Sequence, residues 1–206
     1  MIQLSYSTIN MLLTASHNWL NKMMGLKPED KWYFKAGRDA HRIIQDHVAG
    51  INPDPRLAHI TDQFPIVEEV DFDERCKFSK EVENYLMVCF FDGLNEELKK
   101  SLEIKTSSNG WSISQFQDSM QRKVYGFIRP DLKDGTLITC AMDSDKWLGK
   151  PPKVFYVPYT EHDRNDAKHW ILSGIKVLEK GDFTGGLEDG KCTDPNCYYG
   201  VNCQFK

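Results

Sequence analysis

Two carboxylates and a lysine are spaced in the sequence so that paired strands would bring them together. Asp92 ends a nearly all-apolar segment, and eleven residues later the chain reads Glu103-Ile104-Lys105. Residues two apart on a strand face the same way, so Glu103 and Lys105 share one face while Ile104 faces the core. If the strand that ends at Asp92 pairs with the strand of Glu103, the three charged groups converge where a strand end meets solvent.

Side chains of these three types suit the hydrolysis of a phosphodiester. Carboxylates bind Mg²⁺ or Mn²⁺, and Mg²⁺ keeps several waters and contacts substrate phosphates. The bound ion lowers the pKa of a water molecule, and a lysine offsets the charge that develops on phosphorus. The spacing alone is more typical of a hairpin with a solvated charged edge, so the hypothesis depends on other segments as well.

Two helical segments carry further polar side chains. Gln121 and Tyr125 are four residues apart and share a helix face, with Gln117 one turn earlier. An amide and a phenol on one face suit contact with a nucleic-acid strand, although a half-buried helix face explains them equally well. His41 and Gln45 have the same spacing on an earlier helix, and a neutral imidazole would favour Mn²⁺ over Mg²⁺. A lone helical histidine is more often a surface residue.

Taken in order, these segments resemble the motifs of the RecB-like branch of the PD-(D/E)xK nuclease superfamily. That branch includes the bacterial RecB nuclease domain, the CRISPR-adaptation nucleases and phage recombination exonucleases. The segments GRDAHRIIQ, FFDGL, LEIKTS and QRKVY are similar to successive family motifs, and LSYSTINMLLTASHNW resembles the family's first helix. The resemblance covers residues 4–205, and Gln45 stands where relatives often have glutamate.

The resemblance implies a role for each of the residues that match a motif. Three side chains and one backbone carbonyl would bind Mg²⁺ or Mn²⁺: His41, Asp92, Glu103 and Ile104. Asp92, Glu103 and Lys105 would form the catalytic set, with Lys105 as the catalytic lysine. Gln121 and Tyr125, together with Gln117, would contact the substrate.

The function implied by the resemblance is that of a metal-dependent DNA exonuclease acting at single-stranded or frayed ends, in recombination, repair or CRISPR-type processing. An endonuclease of the same superfamily and a non-catalytic nucleic-acid-binding protein on a nuclease fold remain alternatives. The expected partners are DNA and a helicase, an annealing protein or a CRISPR component. No apolar run exceeds the six residues from Leu86 to Phe91 and no secretory signal is visible, so we expect no membrane contact and a cytoplasmic location, the host cytoplasm for a viral protein.

The tail contains three clustered cysteines, Cys192, Cys197 and Cys203. Many RecB-like nucleases hold an iron–sulfur cluster with four cysteines, but Ala15 stands at the position of the N-terminal one, so a four-cysteine cluster is not expected. Three explanations remain open. The cysteines pack the tail in reduced form, or they bind Zn²⁺ together with His17, or they hold an atypically ligated cluster.

The order of helical and strand patterns indicates an α/β fold, and the resemblance makes this a restriction-endonuclease-like core with a central mixed β-sheet, flanking helices and an N-terminal helical segment. We expect one nuclease domain with consecutive parts at 1–65, 66–160 and 161–206. Helices are predicted at about 8–24, 35–48, 113–125 and 166–179, and strands at 66–70, 85–91, 101–106, 137–142 and 154–159. The net charge of −4 excludes a wholly basic nucleic-acid coat but not a locally basic groove.

Overall fold

The structure is a computed structural model that describes residues 1–28, 32–48, 50–58, 77–143, 146–147, 152–194 and 197–206. The chain divides into two compact units, each discontinuous along the sequence. The first unit contains Met1–Asp30, Lys80–Val88 and Asp166–Lys206, and the second contains Lys31–Ser79 and Cys89–Asn165. The single domain with three consecutive parts stays a prediction from the sequence. The predicted strand at 66–70 lies outside the described residues.

Runs of helices and runs of strands follow one another along the described chain. In order they are β1 (Ile2–Ser5), α1 (Tyr6–Thr14), α2 (His17–Met23), α3 (Trp32–Val48), β2 (Lys77–Val82), β3 (Tyr85–Phe90), β4 (Gly93–Asn95), β5 (Lys100–Ser107), α4 (Ile113–Gln117), α5 (Met120–Ile128), β6 (Asp134–Asp143), β7 (Lys146–Trp147), β8 (Lys153–Pro158) and α6 (Glu161–Lys180). Short 3₁₀ turns occupy Pro55–Leu57 and Gly200–Asn202.

The sheet of the second unit is mixed. Strand β5 pairs with β4 in antiparallel orientation and with β6 in parallel orientation, and β6 also pairs with β7 and β8 in antiparallel orientation. In the first unit, β1 runs parallel to β3, and the sheet order is β1-β3-β2. The chain is therefore an α/β protein with mixed sheets flanked by helices, as the sequence predicts. No helix in the described residues combines the length and apolarity that crossing a bilayer requires.

Side chains cover both faces of the sheet in the second unit. On one face, α3 contributes Ile44 and Val48 to a buried cluster with Ile104 and Ile138. On the other face, Leu137 packs against Phe116 of α4. Because successive residues of a strand point to opposite faces, Leu137 and Ile138 belong to different clusters. This arrangement fixes β5 and α3 relative to each other at the end of the sheet where the predicted catalytic residues lie.

Two of the predicted helices are interrupted. The N-terminal helix predicted at 8–24 is two helices, α1 and α2, preceded by a strand, and Ser5 rather than Ser7 caps α1 by accepting a hydrogen bond from the Thr8 amide. The helix predicted at 113–125 breaks at Asp118, because Ser119 caps a new helix, α5. Helix α3 starts at Trp32 and α6 at Glu161, each earlier than predicted.

The buried guanidinium of Arg122 stabilises the break between α4 and α5. It donates hydrogen bonds to the carbonyls of Phe116 (3.2 Å) and Gln117 (2.8 Å) at the end of α4, where carbonyls no longer have partners within the helix. It also forms an ion pair with Asp163 at 2.7 Å, so its charge is compensated. The interrupted helix is thus held by one arginine that reaches both ends of the break.

Candidate catalytic and metal sites

A short hairpin brings the two acids of the predicted site together. Strand β4 pairs with β5 so that Gly93 stands opposite Leu102, which places the preceding residue, Asp92, beside Glu103. The Ile104 amide donates a hydrogen bond of 2.7 Å to Asp92 Oδ2. The pairing that the sequence analysis considered, between the apolar strand at 85–91 and the strand of Glu103, does not form, because β3 pairs with β1 and β2 instead. The acids still meet, because the three-residue strand β4 provides the pairing.

Glu103 is almost completely buried, with 2% of its surface exposed. Leu102 and Ile104 on either side are fully buried, and Lys105 is half-buried on the same strand face as Glu103. The Lys105 ammonium forms an ion pair with the Glu103 carboxylate. Apart from this ion pair, neither oxygen of Glu103 has a hydrogen-bond partner of ordinary geometry among the described residues. Burying an ionised carboxylate destabilises the fold unless positive groups or hydrogen bonds compensate its charge.

The environment of the acids disfavours their charged forms. Burial raises the pKa of Glu103, and the neighbouring Asp92 carboxylate raises it further, while Lys105 opposes both effects. Burial also raises the pKa of Asp92, although the Ile104 amide and Lys105 oppose the shift. Two carboxylates in contact cannot both ionise at their usual pH without a cation. The pair therefore holds protons above the usual carboxyl range when no divalent ion is bound.

Helix α3 carries His41 and Gln45 to the same hairpin. His41 Nδ1 lies 3.8 Å from Asp92 Oδ1, and Gln45 Nε2 donates to the Asp92 carbonyl at 3.4 Å. Burial lowers the pKa of His41, while the Glu103 carboxylate and a backbone hydrogen bond with Ile104 oppose the shift. A Cβ at Gly37, one turn before His41, would lie 3.1 Å from Thr106 Oγ1, so glycine allows α3 to approach β5 closely. Neutral imidazole is the form that binds metal ions.

Helix α5 supplies a hydrogen-bonded chain that ends at Lys105. Lys105 Nζ donates to Gln121 Oε1, Gln121 Nε2 donates to the Tyr125 phenol, and the phenol donates to the Phe90 carbonyl, each at 2.8 Å. Gln121 and Tyr125 thus share a face, as their spacing predicts. Gln117 does not continue that face, because it lies in the separate helix α4 with an exposed side chain. The prediction that it sits one turn earlier on the same helix is wrong.

Sequence reasoning missed an aromatic ring beside the lysine. Lys105 Nζ lies 5.5 Å from the centre of the Trp111 ring, a distance typical of a cation–π contact. The Trp111 amide donates to Thr139 Oγ1 at 2.6 Å, which ties the loop before α4 to β6. The position of this tryptophan directly after Gly110, between a strand and a helix, is the feature of the sequence that could have indicated a contact with the site.

A second cluster lies in the first unit. His17 at the start of α2 and three tail cysteines are all buried, and their ligand atoms lie within 4.8 Å of one another: Cys192, Cys197 and Cys203 complete the set. These cysteines are free thiols. His17 Nδ1 is 2.9 Å from the Gly185 carbonyl, whereas its Nε2 is buried without a hydrogen-bond partner among the described residues. The four side chains could hold a metal ion, which the sequence anticipated as one of three explanations.

Two asparagines of α2 support the cysteines, and sequence reasoning missed both. Asn21 Nδ2 donates to Cys203 Sγ at 3.3 Å, and Cys197 Sγ donates to Asn18 Oδ1 at 3.6 Å. Burial opposes ionisation of Cys203, but hydrogen bonds from the Phe205 amide and Asn21 lower its pKa overall. Metal-bound thiolates and histidines commonly have such supporting hydrogen bonds. The spacing of Asn18 and Asn21 after His17 is the sequence signal for this helix face.

Comparisons with known proteins do not assign a family. No family model matches the chain, and no curated protein matches it. Four solved chains match, among them the crystal structure of SSO0001. That match has a TM-score of 0.48 and 12% identity, and it covers 87% of this chain and 77% of SSO0001. A similarity of this strength carries no argument about function.

Proposed function

We propose that this protein is a metal-dependent DNA exonuclease that hydrolyses phosphodiester bonds at single-stranded or frayed DNA ends. The observation that carries the proposal is the convergence of Asp92, Glu103 and Lys105 at one hairpin, beside His41 of α3 and the Gln121–Tyr125 pair of α5. This arrangement supports a restriction-endonuclease-like core in the second unit. These residues are far apart in the sequence, and a solvated charged edge would not bury Glu103.

The donor atoms at the hairpin fit a divalent cation. Lys105 pairs with the buried Glu103 carboxylate, but Asp92 adds a second carboxylate beside it, so a divalent cation would compensate the remaining negative charge of the two acids. Burial lowers the pKa of His41, which favours its neutral form, and the Ile104 backbone is in hydrogen-bonding contact with it. Mixed oxygen and imidazole donors suit Mn²⁺ or Mg²⁺. When bound, such an ion supplies a Lewis acid that activates water and stabilises charge on a phosphate.

The side chains around this site have separate tasks in the proposed reaction. Asp92 and Glu103 would hold the cation, and the hydrogen bond from the Ile104 amide fixes the Asp92 carboxylate. Lys105 is held between Glu103 and Gln121, where its ammonium would offset negative charge on the scissile phosphate. Tyr125 orients Gln121 through the 2.8 Å hydrogen bond, so the α5 face forms a fixed wall for the DNA strand.

We also propose that the cluster of the first unit binds Zn²⁺. Three thiols and one imidazole make a donor set typical of closed structural zinc sites. The orphaned Nε2 of His17 points to the same conclusion, since the Gly185 carbonyl already fixes the other ring nitrogen. The ion would join α2 to the tail. Metal analysis and a visible absorbance spectrum of the purified protein separate zinc from an iron–sulfur cluster, which absorbs strongly.

A cleavage assay with two topologies of DNA tests the nuclease proposal. End-labelled linear and unlabelled circular single-stranded DNA are incubated with Mn²⁺ and the parent protein, Lys105→Ala or the exposed control Lys133→Ala. We expect the parent and the control to degrade linear DNA to short products and to leave circles intact. Lys105→Ala should degrade linear DNA at least about a hundredfold more slowly.

The other outcomes of this assay separate the alternatives. Cleavage of circles would identify an endonuclease with the same metal site. Binding of DNA without cleavage of either substrate would favour a non-catalytic DNA-binding protein. Equal rates for the parent and Lys105→Ala would contradict the mechanism. The processes that we propose for the enzyme are recombination, repair or CRISPR-type processing, with a helicase, an annealing protein or a CRISPR component as its partner.

A further inference from the structure

A cavity of about 430 Å³ opens in the first unit between α1, α2 and the cysteine-containing tail. Its volume lies in the range of ordinary small-molecule sites. Tyr6 and Asn10 of α1, Asn18 and Lys22 of α2, and Tyr198 and Tyr199 of the tail are among the residues that line it. No residue of the proposed hydrolytic site contributes to this lining, so the cavity requires an explanation of its own.

The chemistry of the lining specifies what the cavity could accept. Lys22 is the one charged residue among the described residues that line it, and none of them is acidic. The remainder is aromatic, aliphatic or neutral and polar, so a ligand that fits would have a flat apolar body, hydrogen-bonding edges and a negative charge. A cationic ligand would find no counter-charge in this lining.

Two of the tyrosines are held as rigid platforms. The Tyr6 ring stacks on Trp170 with centroids 5.3 Å apart and an interplanar angle of 22°. Tyr198 is 48% exposed, yet its ring meets Tyr199 edge-on at 5.4 Å. An aromatic ring that is fixed from behind loses little conformational freedom when a flat ligand stacks on it. An exposed aromatic ring and a lysine in one cavity are the kinds of group that bind nucleobases and phosphates without sequence preference.

We infer that this cavity binds a nucleotide unit, with the base against Tyr198 and the phosphate beside Lys22. A free nucleotide and one residue of a DNA strand share this chemistry, and only the second source rests on the proposed nuclease function. The cavity also depends on the cysteine cluster. Tyr198 and Tyr199 lie between Cys197 and Cys203, and Asn18 accepts a hydrogen bond from Cys197, so the fold of the tail forms one wall.

The test measures binding by titration calorimetry without added Mg²⁺ or Mn²⁺, so that no cleavage intervenes. The ligands are thymidine, thymidine monophosphate and a short oligothymidylate. The variants are Tyr198→Ala and Lys22→Ala, both at exposed positions. The controls are Tyr156→Ala and Lys168→Ala, which change exposed residues outside the cavity. Circular dichroism and metal content establish that each variant keeps its fold.

We expect the parent and both controls to bind the monophosphate more tightly than thymidine. Tyr198→Ala should weaken binding of all three ligands by about fivefold or more, as expected for the loss of one stacking contact. Lys22→Ala should remove the preference for the monophosphate over thymidine. If the oligothymidylate binds more tightly than the monophosphate, the ligand of the cavity is one residue of a DNA strand. If the two bind with equal affinity, the ligand is a free nucleotide.

Two results would overturn the inference. One is a parent protein that binds none of the three ligands, and the other is a pair of cavity variants that bind them as the parent does. The two proposals can be tested separately. Glu103→Ala changes the hydrolytic site alone, so it should leave the binding of ligands to the cavity unchanged. A protein that binds thymidine monophosphate but cleaves no DNA would thus support this inference and contradict the nuclease proposal.

Discussion

Replacing Glu103 with glutamine should stabilise the protein in the absence of divalent cations and abolish its stabilisation by Mn²⁺. Burial and Asp92 raise the pKa of Glu103 in the folded state. A carboxyl of this kind stabilises the fold fully only below its unfolded pKa, and that stabilisation is lost as the pH rises through the folded pKa. Glutamine has nearly the same shape and does not titrate. The advantage of the variant should therefore grow from about pH 5 to about pH 8.

The size of this effect follows from the burial of the carboxylate. The pKa of Glu103 is raised from 4.5 to about 7, and a shift of this size corresponds to about 3 kcal/mol of stability lost once the carboxyl ionises. We expect the variant to gain about 1–3 kcal/mol at about pH 8, because the shift already includes the favourable ion pair with Lys105. For a chain of 206 residues this corresponds to roughly 2–12 °C in Tm. Mn²⁺ at about a hundred times its Kd should add about 2.7 kcal/mol, or roughly 5–11 °C, to the parent alone.

Thermal unfolding followed by circular dichroism measures both effects. The parent, Glu103→Gln and Glu97→Gln are compared at about pH 5 and about pH 8, with and without Mn²⁺. Glu97 is an exposed glutamate in the turn between β4 and β5, so its replacement controls for the loss of one negative charge. The reasoning is refuted if Glu103→Gln melts below the parent at the higher pH without Mn²⁺. It is also refuted if Mn²⁺ stabilises that variant as much as the parent.

Three further changes test other parts of the structure. Lys105→Ala should slow Mn²⁺-dependent cleavage of labelled single-stranded DNA by about a hundredfold or more, because the site loses one positioned positive charge. A decrease in the cleavage rate of less than about tenfold would contradict the proposed role of Lys105. Cys203→Ser should reduce the zinc content of the purified protein and lower its Tm. A Cys203→Ser variant that still contains one zinc ion per chain after purification would argue against the four-ligand site. Gly126→Ala should destabilise the protein by about 1–3 kcal/mol in urea unfolding, because the added methyl group would overlap the ring of Tyr159, and an unchanged midpoint would contradict the tight packing there.

The periodic spacing of apolar residues was sufficient to predict helices and strands that are long enough to show a period. Helix α3 shows a helical spacing of apolar residues, and the alternation around Glu103 correctly separates buried Leu102 and Ile104 from Lys105. Strand β4 was not predicted, because three residues are too short to show a period. It nevertheless decides how Asp92 reaches Glu103.

The remaining differences come from tertiary contacts that no local pattern reveals. Helices α4 and α5 read as one helix, because the break at Asp118 is held by Arg122 and its ion pair with Asp163, far along the chain. Strand β1 gains its partner from β3, more than eighty residues later. For the site, residue types and their order indicated His41, Glu103 and the α5 pair, whereas Trp111 was missed because it contacts Lys105 only through the loop that precedes α4.

An anomalous difference map from a crystal grown with Mn²⁺ would show directly whether the hairpin binds a divalent ion. We predict one strong peak within coordination distance, about 2.0–2.6 Å, of His41, Asp92, Glu103 and the Ile104 carbonyl. Lys105 should lie beside that peak without contacting it. The absence of a peak at the hairpin at a saturating concentration of Mn²⁺, or a peak coordinated by other residues alone, would rule out this metal site.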